Sequence, residues 1–332
     1  MTANASPAVI YLMGGGRSGS TVLDNLLGGI PGYFAAGELR YMWERAVLGG
    51  QGCACGRSVQ ECPVWSQVLA QVLAQVQAQA MAMAQGVETA TLEEMARMIV
   101  SLQRRSVRLR HTWQLLHPRL ASAGNRRDAE EYASYLCKLY DAIGAVTGAR
   151  VIVDSSKSPP DAALLIRWRA APVRLIHLVR DPRAVTYSWT RVKLNSDRSV
   201  ATELPPVSTL RALADWWKSM LSAAAVRRHR PGDTDVTVRY EDLMRRPAAV
   251  LAQLAGLNGQ PLPADQLPFI TPTTVLQQPH HSIGGNPVRL RRGEVVVAED
   301  VRWRRELTRR QYVLATLLTL PLLRRYRYPL SR

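Results

Sequence analysis

The chain has 332 residues, 47% of them hydrophobic, which is enough to bury one large α/β core with insertions or two smaller domains. Lys and Arg outnumber Asp and Glu by 43 to 26, a formal net charge of +17 that suits an anionic ligand or an acidic surface. Aromatic residues are only 6% and no Lys/Arg tract is interleaved with them, which argues against nucleic acid as a partner.

The opening "MTANASPAV" has neither the basic nor the apolar region of a signal peptide, so the chain reads as cytoplasmic. Val9 to Met13 is a short β-branched run ending in glycines, as a buried strand does, and a helix is expected from about Ser20 to Gly28. Between them lies "GGGRSGST". Glycines there let backbone amides turn inward, and the helix start adds unsatisfied N–H groups and a positive dipole end. Against the pattern G-x-x-x-x-G-K-[ST], Gly14, Gly19 and Thr21 fit, but Ser20 stands where a nucleotide-hydrolysing loop has lysine, and the charge sits on Arg17 instead. The loop suits phosphate binding without triphosphate hydrolysis.

Cys53, Cys55 and Cys62 cluster in "CACGRSVQECPVW". Four cysteines are too few for a disulfide framework in a chain this long. A zinc site needs a fourth ligand, and the nearest histidine downstream is the distant His111, so no metal is expected; plain packing is the first reading and a local loop clasp the second. From Pro63 to Gly148 the pattern is helical throughout, an insertion of about 63–148 that is expected to cover the sheet and line the acceptor side. Its "QVLAQVLAQVQAQAMAMAQ" tract reads as a surface helix.

Strands are expected again at Val151 to Val153, Val173 to Val179 and Val236 to Arg239, each followed by a helix-start signal. Asp154 and Ser155 are read as shaping a turn after the first of these, with Lys157 just beyond it. In "LIHLVRDPRAVTYSW", Arg180 ends a strand and Ser188 lies about two turns into the next helix; a guanidinium fork and a hydroxyl can share a phosphate there, although the stretch alone reads first as an Arg–Asp surface pair and a solvated serine. Residues 195–206 read as a flexible loop. The last apolar run, Val313 to Leu323, is too short to span a membrane, and the arginines flanking it leave room for peripheral lipid contact. Strands alternating with helices predict an α/β fold, P-loop-like and three-layered, with a central parallel sheet and sites at the strands' carboxyl ends.

With both phosphate elements in view, the sequence resembles the sulfotransferases that use 3′-phosphoadenosine 5′-phosphosulfate (PAPS), of the bacterial type related to tyrosylprotein sulfotransferases. The resemblance runs from Val9 to about Tyr328 and implies a single sulfotransferase domain over 1–332. It implies that Gly16, Arg17, Ser18, Gly19, Ser20 and Thr21 bind the 5′-phosphosulfate, that Arg180 and Ser188 bind the 3′-phosphate, and that Tyr240 of "RYEDL" lies near the adenine. A closing segment of about 277–293, in "HHSIGGNPVRLRRG", would contribute Gly284, Arg289 and Arg291. Glu38 of "AAGELRY" would be the general base, and Lys157, with Arg17, would offset charge on the leaving phosphate. The reaction implied is sulfuryl transfer to a hydroxyl on a small molecule, lipid or sugar, with no metal. Read without the resemblance, Glu38 is a helix-start carboxylate, Lys157 a surface lysine, Tyr240 a core residue and His281 an ordinary loop histidine. The alternative activity is a P-loop-type phosphotransferase or nucleotide hydrolase, and a third reading is a non-catalytic basic adaptor. Neither the acceptor nor the oligomeric state follows from the sequence.

Overall fold

The computed structural model describes residues 6–82, 91–191, 193–195, 202–229, 235–258, 262, 267, 270, 271 and 273–332. Its centre is a five-stranded, wholly parallel sheet in the order β2-β3-β1-β4-β7. The strands are β1 (Ala8–Gly14), β2 (Tyr33–Gly37), β3 (Val151–Lys157), β4 (Val173–Val179) and β7 (Asp235–Arg239). Alternate residues of β1 feed two cores: Val9, Tyr11 and Met13 enter one, Ile10 and Leu12 the other. That alternation, in a strand buried on both faces, is what makes the molecule three layers deep.

On the first face lie helices α2 (Trp65–Ala82), α3 (Leu92–Ser106), α4 (Thr112–Leu116) and α5 (Ala123–Thr147), followed after β3 by α6 (Pro159–Trp168). Val68, Ile99, Leu136 and Tyr140 pack there with Val9 and Tyr11. Between β2 and β3 no strand occurs among the described residues. The low-complexity tract begins buried, at Trp65, Val68, Leu69 and Val72, and only then becomes surface; residues 83–85 of that tract lie outside the described residues. Arg40 ties this layer to the sheet, pairing with Asp161 and donating to the Val107 carbonyl at 2.7 Å, while Tyr132 donates to Asp161 at 3.0 Å.

The opposite face is covered by α1 (Ser20–Gly28), α9 (Tyr240–Arg245) and α10 (Pro247–Gly256), through Leu23, Leu26, Leu243 and Leu251. After β4 come α7 (Pro182–Trp189), the short antiparallel pair β5 (Lys193–Asn195) and β6 (Thr202–Leu204), and α8 (Thr209–Arg228). The expected loop 195–206 is therefore bounded by a two-stranded ribbon, and residues 196–201 lie outside the described residues. Beyond α10, β8 (Thr274–Gln277) pairs antiparallel with β9 (Gly293–Val296), and α11 (Trp303–Glu306) and α12 (Arg309–Arg325) close the chain. No helix among the described residues is long and apolar enough to cross a membrane.

Two sequence expectations need correcting. Tyr33–Gly37 is a strand that "YFAAG" does not advertise; pairing with β3, rather than β propensity, decides it. The second expected strand runs on to Lys157, so Asp154 and Ser155 lie inside it and shape no turn. Asp154 is instead buried, accepting bonds from Tyr140 Oη at 2.5 Å and from the Ser156 amide at 2.8 Å.

Candidate active site

Every strand of the sheet delivers a candidate residue at its carboxyl end: Arg17 after β1, Glu38 after β2, Lys157 at the end of β3, Arg180 after β4 and Tyr240 after β7. The central strand β1 has β3 on one side and β4 on the other, so the chain changes direction across the sheet at the phosphate loop. Such switch points open a crevice in doubly wound sheets.

The loop is set by backbone conformation. A Cβ on Gly14 would lie 2.4 Å from the Leu178 carbonyl oxygen, and one on Gly19 (φ +90°) would lie 2.4 Å from the Tyr240 ring. Arg17 holds φ 65°, an uncommon value for a residue with a side chain. Its guanidinium lies 5.0 Å from the centre of the Trp189 ring, and the same indole leaves no room for a side chain on Gly16. Burial depresses the pKa of Arg17, with Glu38 acting in the opposite sense. Ser18, Ser20 and Thr21 are all buried.

The two expected phosphate grips meet. Arg180 Nη1 donates to the Arg17 carbonyl at 3.0 Å, and the Arg180 guanidinium stacks 4.3 Å from the Tyr240 ring centre. Ser188 is buried on α7, which starts beside Arg180. Asp181 does not compete for Arg180; it takes a bidentate pair from the fully buried Arg183, at 2.9 and 2.7 Å. Arg183 also donates to the Pro329 carbonyl at 2.7 Å. Next to this, Glu241 accepts from the Asp181 amide at 3.0 Å and from Tyr328 Oη at 2.9 Å. Burial raises the pKa of Tyr240, and the neighbouring Arg180 partly reverses that.

On the other side of β1, Lys157 Nζ forms an ion pair with Glu38 Oε1 and donates to the Ser155 carbonyl at 3.2 Å. Glu38 is buried at the start of a 3-10 turn, Leu39–Tyr41, which its side chain does not cap. Its role as a helix-start carboxylate therefore has no support in the hydrogen bonding. Beneath the pair lie two buried carboxyls. Burial pushes Asp24 well above the usual carboxylate range and raises Asp154 to about 6, the latter partly offset by bonds from Ser156 and Tyr140.

The late glycine-containing segment reaches this side of the site. Ile283 donates to the Ala36 carbonyl at 3.0 Å and accepts from the Glu38 amide at 2.7 Å. A Cβ on Gly284 would sit 3.1 Å from Glu38 Cβ, and one on Gly285 would sit 2.9 Å from Thr21 Oγ1. The Asn286 amide donates to Thr21 Oγ1 at 3.1 Å. Arg289 is buried and donates to the Gly52 carbonyl at 3.2 Å, whereas Arg291 is exposed. His281 lies among the cysteines: its Nδ1 is 3.2 Å from Cys62 Sγ and 3.7 Å from Cys53 Sγ. The ground for expecting no metal, a missing fourth ligand, fails, because folding brings His281 to the three cysteines.

Sequence reasoning did not pick out Trp189, Trp216 or Asp24. Trp189 packs on Gly16, and Trp216 Cδ1 comes within 3.5 Å of a Cβ placed on Gly15. The only signal was complementarity between bare glycines and distant indoles, which no local pattern displays.

A family model described as the sulfotransferase family matches residues 7–263. Among solved structures, the chain is similar to the sulfotransferase domain from the curacin biosynthetic pathway, at 16% identity, TM-score 0.52, and coverage of 98% of this chain and 99% of that one. It is also similar to the sulfotransferase domain of the Synechococcus PCC 7002 olefin synthase, at 19% identity, TM-score 0.47, and coverage of 100% and 99%. A sulfotransferase from Mycobacterium avium matches at 14% identity, TM-score 0.47, and coverage of 98% and 78%. No curated protein matches significantly. The family model covers well over half of the chain, which therefore belongs to the sulfotransferase family and is a transferase.

Proposed function

We propose that this sulfotransferase-family chain moves the sulfuryl group of PAPS to the hydroxyl of a small molecule, lipid or sugar, with Glu38 as general base. The observation that carries this reading is the contact between the two anion grips, Arg180 Nη1 on the Arg17 carbonyl at 3.0 Å. A nucleotide phosphorylated at both ends needs such grips in one cleft. The buried Ser18 Oγ and Arg180 Nε have no hydrogen-bond partner among the described residues, one on each side of that contact. Buried donors left unsatisfied cost about 1–3 kcal/mol each, and an anion's oxygens would satisfy them.

In this reading the amides of residues 16–21, the start of α1 and Arg17 hold the 5′-phosphosulfate. Arg180 and Ser188 hold the 3′-phosphate, with Tyr240 beside the base. In the closing segment, 277–293, Gly284 lies against Glu38. Arg289 is engaged with Gly52, and the exposed Arg291 is the segment's candidate for the 3′ side.

The donor supplies an activated sulfuryl group. As the acceptor oxygen bonds to sulfur, its proton passes to the Glu38 carboxylate, and the electrons of the breaking S–O bond stay on the bridging oxygen of the 5′-phosphate. A carboxylate can take that proton because the attacking hydroxyl acidifies in the transition state. An ammonium has three donors. Lys157 directs one at Glu38 and one at the Ser155 carbonyl, which leaves the third for the leaving phosphate. Arg17 and the loop amides add to that stabilisation, which works best in a buried site.

Thermal shift with adenosine 3′,5′-bisphosphate, against ATP with Mg2+, tests the donor. Greater stabilisation by the bisphosphate is expected, and greater stabilisation by ATP would favour a nucleotide-hydrolysing chemistry instead. A PAPS-dependent mass gain of one sulfate, screened over a metabolite extract, would identify the acceptor.

A further inference from the structure

We propose that Cys53, Cys55, Cys62 and His281 bind one Zn2+ ion, and that this ion fastens the segment carrying Gly284 and Gly285 to the loop of residues 50–62. The four ligand atoms lie within 4.8 Å of one another. Cys53 and Cys62 sulfurs are 3.6 Å apart, and His281 Nδ1 stands 3.7 and 3.2 Å from them, respectively. A tetrahedral zinc ion with its usual bond lengths has S···S edges of about 3.8 Å and S···N edges of about 3.6 Å. The cluster is thus close to the size the ion requires, and far wider than a disulfide; all three cysteines are free thiols.

The backbone sets this arrangement without help from a metal. Cys53 and Ile283 form an antiparallel bridge, and the Ala54 amide donates to the Ser282 carbonyl at 3.0 Å. The Cys53 amide bonds the Arg57 carbonyl at 2.8 Å, and the Gly56 amide returns to the Cys53 carbonyl at 2.9 Å. Gly56 takes φ 91° to close that turn. Trp65 Nε1 donates to the His281 carbonyl, which holds the histidine's backbone over the thiols.

Three thiols and one imidazole favour zinc over magnesium or calcium, which want oxygen ligands. With all three thiols deprotonated, the centre carries a net charge of −1. Arginines surround it: Arg292 donates to the Cys55 carbonyl at 3.3 Å, Arg289 to the Gly52 carbonyl at 3.2 Å, and Arg57 lies close enough to Cys55 to attract it. Four protein ligands leave no open position, so the ion is structural. Cys53 and Cys62 are buried while Cys55 and His281 are partly exposed, which gives the metal a way in.

His281 is two residues from Ile283, whose backbone brackets Glu38, and five from Asn286, which bonds Thr21. Loss of the ion would therefore loosen the cover of the transfer site while leaving Arg17 and Arg180 in place.

The test is metal analysis of the full chain, grown with zinc and purified under reducing conditions. About one zinc per chain is expected, with loss in Cys62→Ser and His281→Ala and retention in Cys137→Ser. Should those variants fail to fold, cobalt substitution of the unmodified chain serves. The intense visible bands and thiolate charge transfer of tetrahedral cobalt are expected, and their absence overturns the proposal. So does reduced protein that carries no zinc and gains no thermal stability when zinc is added, or a Cys53–Cys62 disulfide as the resting state. Chelation is expected to weaken adenosine 3′,5′-bisphosphate binding several-fold, with recovery on re-addition of zinc. Unchanged affinity would remove the fastening role. Metal content is read without any donor, so its outcome stands apart from the assignment of PAPS.

Discussion

The cradle around Arg17 is held by the sheet, whereas the cover around Gly284 is held from outside it. The cradle's strand, β1, is hydrogen-bonded on both sides, and Gly14 and Gly19 are pressed against Leu178 and Tyr240 with no space for a side chain. Among the described residues the cover meets the sheet through the Ile283 bridge at Gly37, reaches α1 through the Asn286 amide on Thr21, and otherwise hangs from Arg289, Trp65 and the thiols. In the function proposed above, grip on the donor and alignment of Glu38 would thus rest largely on separate supports. Rigidity in the first is compatible with adjustment in the second.

The largest test of that division is Glu38→Gln, which removes the proposed proton acceptor while sparing both proposed grips. Sulfuryl transfer is expected to fall by about two to four orders of magnitude, with bisphosphate affinity retained. A rate within tenfold of the unmodified enzyme would dismiss Glu38 as the base.

Next comes Arg180→Ala, aimed at the cradle. Calorimetry should show bisphosphate affinity falling about 10- to 100-fold, the size of a lost charge-assisted pair. Equal affinity would mean that the 3′-phosphate sits elsewhere.

Gly285→Ala addresses the cover alone. Its φ of +90° and the 2.9 Å approach to Thr21 Oγ1 leave a methyl group strained by about 1–2 kcal/mol. Bisphosphate affinity should drop about threefold to tenfold, less than for Arg180→Ala; a larger loss would merge the two supports into one.

The last effect concerns neither part and serves as a control. His177, on β4, is buried and its pKa is lowered to about 3, chiefly by burial and then by Arg227 and Arg325. The unfolded chain therefore binds a proton between about 6.5 and 3 that the folded chain refuses, so stability is lost as pH falls through that window. Asp154, raised to about 6, works the other way, because the folded state takes its proton first. His177→Phe should reduce the stability lost between pH 7 and pH 5 by about 1–2 kcal/mol in urea titrations. An unchanged pH slope would show that His177 can be protonated in place. Nucleotide affinity should not move.

What could be read from the chain follows the same division. The strand, Gly-rich turn and helix from Val9 to Gly28 are contiguous, and Arg180 to Ser188 is another such stretch, so pattern and spacing fix these elements and single out both as candidate grips. Glu38 was reachable only by resemblance, since β2, which carries it to the site, has few β-forming residues. Resemblance implies the closing segment of about 277–293, but its contacts are out of reach of the sequence: His281 meets Cys62 across 219 residues, and Asn286 meets Thr21 across 265. No periodicity encodes such contacts. Asp154 was misplaced for a related reason, since a polar residue in a central strand is stable only because Tyr140 and Ser156 are there to bond it.

Arg183 reaching the Pro329 carbonyl, with Tyr328 on Glu241, has a bearing on biosynthesis. These bonds brace the tips of β4 and β7, the same tips that present Arg180 and Tyr240. If the donor site is the one proposed, it stays unbraced during translation until residues 328–329 have left the ribosome, long after β1 and its loop have emerged. A ligand present in the cell would then act late, as a clasp on a sheet already formed, and not as a template for its early collapse.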